Sequence, residues 1–316
     1  MTTTHDLRAT IGPVGIWANF DRLPAADVLR FAGRVEELGY GALWIHEAVG
    51  REPFALLGAL AVATSRLTLG LGIASIYARD AVAAHSGART VADLSGGRFV
   101  MGLGVSHRSS VGVRGHEYAR PIAAMTAYLD AYDAAPWTGP AIGEPPLVLA
   151  ALGPKMLGLA ATRAGGAFPY LVTAAHVREA RRIVDEAACA AGREDPPVLI
   201  VSQVAILGSG PEVQEAARTS ITRYLAQPNY RNNLLRAGIA PGDIDTVADP
   251  LVEALVATGD EAALRARVEE IHAAGADHVA VIPLSRDGRQ ADLATARALA
   301  PRQMRADGTR ETVPMM

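Results

Sequence analysis

The chain has 316 residues, a formal net charge of -3 and a single cysteine, Cys189. That balance leaves no basic footprint for nucleic acid or anionic lipid, and one cysteine excludes an internal disulfide and a multi-cysteine metal site. No apolar run approaches the ~20 residues of a membrane-spanning helix, and Met1 to Asp6 has no apolar leader core, so the expectation is a soluble cytoplasmic protein acting on a small molecule.

Taken in order, Val14-Gly15-Ile16-Trp17 is a first strand, and Pro24 to Leu38 has helical spacing at Val28, Phe31, Val35 and Leu38, closed by Gly39. Gly41 to Ile45 is the second strand, followed by a helix opening on Pro53 and running to Ala63. Leu67 to Ile73 and Phe99 to Val105 are the third and fourth strands, joined by a helix from about Asp80 to Leu94 in a βαβ unit. Pro146 to Ala151 is the fifth, with a helix from Pro154 to Ala164 ending at Gly165-Gly166. The sixth strand, Ala167 to Val172, leads into a helix over Ala175 to Ala191. Val198 to Leu207 and Asp277 to Leu284 complete eight.

Eight strands alternating with helices, with no Pro/Gly/Ser-rich linker between them, favour an α/β fold of one (β/α)8 TIM barrel over two doubly wound domains. The barrel is expected to form a single domain over residues 1–316, with its core at about 12–285 and a loose polar tail at 301–316. The connections Ser106 to Pro145 and Gly208 to Gly275 are far longer than usual and leave the C-terminal face, where barrel enzymes build their sites.

Two glycines sit two apart in each of the third and fourth strands, Gly70 and Gly72, then Gly102 and Gly104. With period-2 alternation each pair falls on one face. Two readings are open: close approach by a ligand, or tight barrel packing. Strand C-termini nominate Asn19, His46, Glu47, Ser75, Ser106, His107 and the loop Leu152-Gly153-Pro154-Lys155-Met156. That loop opens a helix and carries the sole lysine, so its free N–H groups and positive dipole end suit a phosphate, while an ordinary β-to-α turn is the plain alternative. No two histidines stand at metal-ligand spacing, and none of the glycine runs completes a phosphate-loop or dinucleotide fingerprint, so a metal centre is not expected. Arg108 to Arg120 and Tyr230-Arg231-Asn232-Asn233 lie in the long connections, as lid segments or as plain solvated surface.

Leu67 to Ile73, the stretch Asp93-Leu94-Ser95-Gly96-Gly97-Arg98-Phe99, and Met101-Gly102-Leu103-Gly104 together resemble the luciferase-like monooxygenase superfamily. The deazaflavin-dependent oxidoreductase branch resembles them most. Gly41 to Glu47, Leu152 to Lys155 and Pro228 to Leu234 extend the likeness over about residues 12 to 285. The resemblance implies a barrel, often a homodimer, that binds coenzyme F420, or alternatively FMN, at its mouth. It places the cofactor ring on a third-strand bulge with a non-proline cis peptide, which matches Gly72-Ile73 here, and the phosphate on Gly153 to Met156. The implied cofactor residues are Gly70, Gly72, Ile73, Ala74, Gly102, Gly104, Ser106, Leu152, Gly153, Pro154, Lys155 and Met156. Many such enzymes carry Asp-His after the second-strand Trp, whereas Glu47 is followed here by Ala48. Glu47 is then expected at the ring edge, with His107 or His46 handling the proton. The implied activity is hydride transfer between F420 and a small organic substrate. An FMN-dependent two-component monooxygenase and a noncatalytic flavin-binding barrel are the alternatives.

Overall fold

A computed structural model describes residues 4–301, so the expected loose tail lies, beyond Pro301, outside the described residues. In chain order the elements are α1 (Thr4–Ile11), β1 (Val14–Ala18), α2 (Ala25–Glu37), β2 (Ala42–Ile45), α3 (Pro53–Ala63), β3 (Thr68–Leu71), β4 (Ala74–Ser75), α4 (Ala81–Leu94) and β5 (Phe99–Gly104). There follow α5 (Arg108–Gly112), α6 (Pro121–Asp133), β6 (Leu147–Leu149), α7 (Pro154–Arg163), β7 (Gly166–Ala167), α8 (Ala174–Ala190) and β8 (Val198–Leu207). The chain then forms α9 (Pro211–Leu225), α10 (Pro228–Arg236), α11 (Pro241–Thr246), α12 (Asp249–Leu255), β9 (Val256–Gly259), α13 (Glu261–Ala273), β10 (His278–Leu284) and α14 (Leu293–Ala298).

All the barrel strands pair in parallel, and β10 closes the ring by pairing with both β1 and β8. The result is the expected (β/α)8 barrel, with β3 and β4 together forming its third stave. Side chains of the barrel interior form a compact column that includes Ala42, Trp44, Val100, Val148, Phe168, Val198, Ile200 and Ala280. Leu7 and Ile11 of α1 join that column, so α1 packs into the interior; the sequence reading placed no helix there. The larger core lies between the strands and the outer helices.

Chain punctuation explains most boundaries. Glu52, Asp80, Thr173, Asp260 and Asp292 each cap a helix by accepting a hydrogen bond from a first-turn N–H. After α4, Gly96 and Gly97 take positive φ values of 64° and 87°, and the Gly97 N–H closes the helix on the Ala92 carbonyl at 2.8 Å. Arg98 then donates to the carbonyls of Leu67 at 2.6 Å and of Ala61 and Thr64 at 3.0 Å, tying the end of α3 to the start of β5. The Ser-Gly-Gly-Arg-Phe motif thus has a scaffold role.

Three expectations need correcting. The third strand is not continuous: Gly70 faces Val100 and Ala74 faces Leu103, so four steps on one stave oppose three on the next, and Gly72-Ile73 forms a bulge. The sixth strand is only Gly166–Ala167, the chain beyond it touching β8 through a Tyr170–Ser202 bridge. The long connection after β8 contains five helices and β9, which pairs outside the ring with the end of β8. This excursion has its own apolar core, including Val213, Ile221, Leu225, Leu234, Leu251 and Leu255, seated on Val204, Ile206, Ile282 and Leu284.

Candidate active site

A cavity of about 970 Å³ opens at the C-terminal mouth of the barrel, within the size range of small-molecule and cofactor sites. Its floor is the bulge. The Gly72–Ile73 peptide is cis, and the surrounding backbone is well satisfied. The Gly72 N–H donates to the Ile45 carbonyl at 2.7 Å, and the Ile73 carbonyl accepts from the Glu47 N–H at 3.0 Å. Trp17 of β1 donates its indole N–H to the Gly72 carbonyl at 2.6 Å.

The four strand glycines divide into two roles. Gly72 lines the cavity, and a methyl group added there would come within 2.7 Å of Phe168 and 3.0 Å of Trp17. Gly70 instead gives room to the Trp44 ring inside the barrel. Gly102 accommodates the Leu71 carbonyl, and a methyl at Gly104 would lie 2.6 Å from Ile73 Cδ1. Gly70, Gly102 and Gly104 therefore do not line the cavity; Gly102 and Gly104 seat the bulge from beneath. Ala74 also lies away from it, fully buried in the outer core.

Of the remaining nominated residues all but Ser75, which is buried beside Glu47, converge. His46, Glu47, Ile73, Ser106, His107 and the Leu152 to Met156 loop all line the cavity. Glu47, however, is committed to the scaffold: its side chain is only 3% exposed and is gripped by Arg79 through both oxygens. Its Oε2 also accepts from the Ser75 N–H at 2.9 Å, and Arg114 lies 3.8 Å from Oε1. Arg114 in turn donates to the Ala48 carbonyl at 2.6 Å, which moors the segment 105–120 to the end of β2.

The two histidines differ. His107 precedes α5 with its ring 5.4 Å from that of Tyr230 on α10. Burial depresses its pKa, opposed by a hydrogen bond with Asn229. His46 stacks on Trp17 with ring centroids 5.0 Å apart, and its Nε2 lies 3.8 Å from Asp21 Oδ2. Burial likewise depresses its pKa, with Asp21 opposing and Arg223 reinforcing the shift.

At the other end, Gly153 caps α7 without a side-chain bond, leaving Lys155 exposed in the first turn. A methyl on Gly153 would lie 3.4 Å from Arg236 Nη2 of α10, so a guanidinium stands directly over this loop. Arg236 donates to Asn233 Oδ1 at 3.0 Å, and Asn233 Nδ2 lies 3.3 Å from His176 Nδ1. Among the described residues no carboxylate pairs with Arg236. Two cationic side chains and a helix N-terminus make this end suited to an anion.

Sequence reasoning missed Trp17, Asp21, Phe168, Arg223 and Arg236, and also Tyr170 and Tyr224, which with the nominated Tyr230 form a tyrosine wall whose rings meet edge-on at 5.0–5.8 Å. Of the segment Tyr230 to Asn233, Tyr230 and Asn232 reach the cavity, while Arg231 pairs with Asp245. No group of three or more metal-ligating side chains occurs among the described residues.

A family model described as luciferase-like monooxygenase matches residues 10–278. A 5,10-methylenetetrahydromethanopterin reductase of Methanolobus tindarius is 26% identical over 264 residues, covering 76% of this chain and 78% of that protein. The coenzyme F420-dependent tetrahydromethanopterin reductase of Methanopyrus kandleri superposes with a TM-score of 0.75 at 20% identity, covering 91% of this chain and 97% of that one. An F420-dependent secondary alcohol dehydrogenase, solved with an F420-acetone adduct, superposes with a TM-score of 0.71 at 16% identity, covering 91% and 96%.

Proposed function

The chain belongs to the luciferase-like monooxygenase family, and on that premise we propose that it is an oxidoreductase that binds coenzyme F420 and exchanges a hydride with a small organic substrate. One observation carries the reading: a single cavity joins an apolar shelf at Gly72-Ile73 to a cationic end at Lys155 and Arg236. The shelf suits a flat ring and the cationic end suits a phosphodiester with an acidic tail. The residues present therefore fit the group.

When bound, F420 supplies the hydride acceptor or donor, so the protein is left to position, exclude water and manage a proton. Ile73 and Gly72 would hold the ring, and Trp17, locked to the Gly72 carbonyl, would border it. The Gly153 to Met156 turn, Lys155 and Arg236 would hold the anionic portion. Tyr170, Tyr224 and Tyr230 form an apolar wall that keeps bulk water from one side of the cavity. The proton is assigned to a histidine, either His46 or His107, since Glu47 is held by Arg79.

Fluorescence titration tests the reading. F420 should bind more tightly than FMN, and Lys155→Ala should weaken F420 binding by about 1–3 kcal/mol without lowering the unfolding midpoint. Tight FMN binding without measurable F420 affinity would replace the reading with the FMN monooxygenase, and F420 binding without turnover on any substrate would favour a carrier. A homodimer in the cytoplasm belongs to the same reading, and a monomeric mass in sedimentation would remove the dimer.

A further inference from the structure

Asp21 lies in the loop after β1, and nothing in the strand pattern marks it. Several contacts nevertheless fix this loop. The Asp21 N–H donates to Asn19 Oδ1 at 2.8 Å, and the Asn19 N–H donates to Gln290 Oε1 at 3.0 Å. Arg51 donates to the carbonyls of Phe20, at 2.9 Å, and Leu23. The Asp21 carboxylate is packed against Gly50, where a methyl group would come within 2.7 Å of Oδ1. A side chain at position 50 would displace it.

His46 is fixed as firmly. Its ring lies on Trp17 at an interplanar angle of 24°, and Trp17 is pinned to the cavity floor through Gly72. Its Nδ1 is buried with no hydrogen-bond partner among the described residues, whereas Nε2 faces Asp21, and both residues line the cavity. The Nε2 to Oδ2 distance of 3.8 Å is too long for a direct hydrogen bond. It does allow one water to sit about 2.8 Å from both atoms, donating one hydrogen to each.

We propose that Asp21 is the positioning residue of the site: its carboxylate directs Nε2 of His46 to a shared oxygen, and so makes His46, rather than His107, the proton-handling group. A substrate hydroxyl gives its proton to the shared water as that water gives one to Nε2; the substrate O–H pair becomes the C=O bond as hydride leaves the same carbon for the deazaflavin acceptor, and the imidazolium produced faces a carboxylate. In the opposite direction the proton returns by the same path. His107 is instead engaged with Asn229 and packed on Tyr230, away from any carboxylate partner among the described residues. The charged groups acting on His46 are Asp21 from the β1 loop and Arg223 from α9. Burial keeps its imidazole neutral at rest, and Asp21 is the group that limits the penalty of charging it.

The inference rests on the oxidoreductase reading, but its first test does not need cofactor. In the full-length protein labelled with nitrogen-15 histidine, the His46 resonance is identified by its loss in His46→Gln, and its titration is followed by NMR. Asp21→Asn should lower the His46 midpoint by roughly 0.5–1 pH unit, and Asp21→Glu should restore part of the difference. Gly50→Ala, which pushes on the carboxylate without removing it, should shift the midpoint in the same direction. The pH at which kcat falls on the acid side should move with the midpoint. An unchanged midpoint in Asp21→Asn, or a kcat profile that follows His107→Gln and ignores His46→Gln, would overturn the proposal. F420 titration of the same proteins separates the two readings: wild type that fails to bind F420 ends the cofactor assignment while the NMR result on the Asp21–His46 pair still stands.

Discussion

At the scale of single residues, His278 shows how completely a polar group can be absorbed by the scaffold. It is fully buried inside the barrel, with Nε2 receiving the Trp44 indole N–H at 3.0 Å and Nδ1 2.7 Å from the Gly12 carbonyl. Because Trp44 can only donate, Nε2 must be the acceptor and Nδ1 the protonated nitrogen, so the ring is neutral. Burial pushes its pKa down to about 4 from an ordinary 6.5, helped by His272 and opposed by the Gly12 carbonyl and Asp277. A histidine depressed in the folded state binds fewer protons there than in the unfolded chain, so stability is lost as pH falls through that window. His278 should account for about 2 kcal/mol of the loss between pH 7 and pH 5. Urea denaturation of His278→Asn at both pH values should show a correspondingly flatter dependence; an equal slope would refute the assignment. From the sequence alone, His278 and His46 could not be told apart, since both border or lie within apolar strands and only their neighbours across the barrel differ. Lys155 and Gly153 were legible because a turn entering a helix has a known polarity, whereas Asp21 and Arg223 lie outside any strand terminus that topology nominates.

At the scale of elements, helices and strands with strong period or Pro/Gly punctuation were legible almost to the residue, as α3 at Pro53–Ala63 and β8 at Val198–Leu207 illustrate. The misses have local causes. In α1 the two inward residues, Leu7 and Ile11, are a single i,i+4 pair in a polar stretch, and β9 is four residues long and follows α12 with no turn between them. The glycine pairs were correctly placed as a special strip, but period alone could not reveal that Trp44 and Ile73 fill most of it. The segment 105–120 depends on the Arg114 tie to Ala48 and Glu47. Glu47→Ala would leave Arg79 with Glu52, 3.1 Å away, as its only carboxylate partner among the described residues and should cost about 3 kcal/mol of stability. Hydrogen exchange over residues 105–120 should accelerate in parallel. Full stability with a selective loss of kcat would instead make Glu47 a chemical participant.

At the scale of the whole molecule, eight strand–helix alternations were enough to identify the barrel, because no other arrangement buries that many parallel strands without edges. Charge, by contrast, is local: a chain with net charge -3 concentrates Lys155 and Arg236 at one end of its cavity. Raising ionic strength from about 0.05 to 0.5 M should therefore weaken F420 binding roughly three- to tenfold, with a smaller effect in Lys155→Ala or Arg236→Ala. Salt-independent binding would move the anionic portion elsewhere. The excursion after β8 carries a separate apolar core, yet it supplies Arg223, Tyr224, Tyr230 and Arg236 to the cavity. Its core is seated chiefly on the ends of β8 and β10 and on β9, and it meets the floor through Trp17, which packs against this core and bonds to the Gly72 carbonyl. In evolutionary terms the wall and the floor are modules joined through Trp17. Mutations in residues 208–259 that do not touch Trp17 can accumulate and alter what the cavity admits while the floor stays fixed, because sites without shared contacts change stability nearly independently. One inherited floor can thereby serve a succession of substrates.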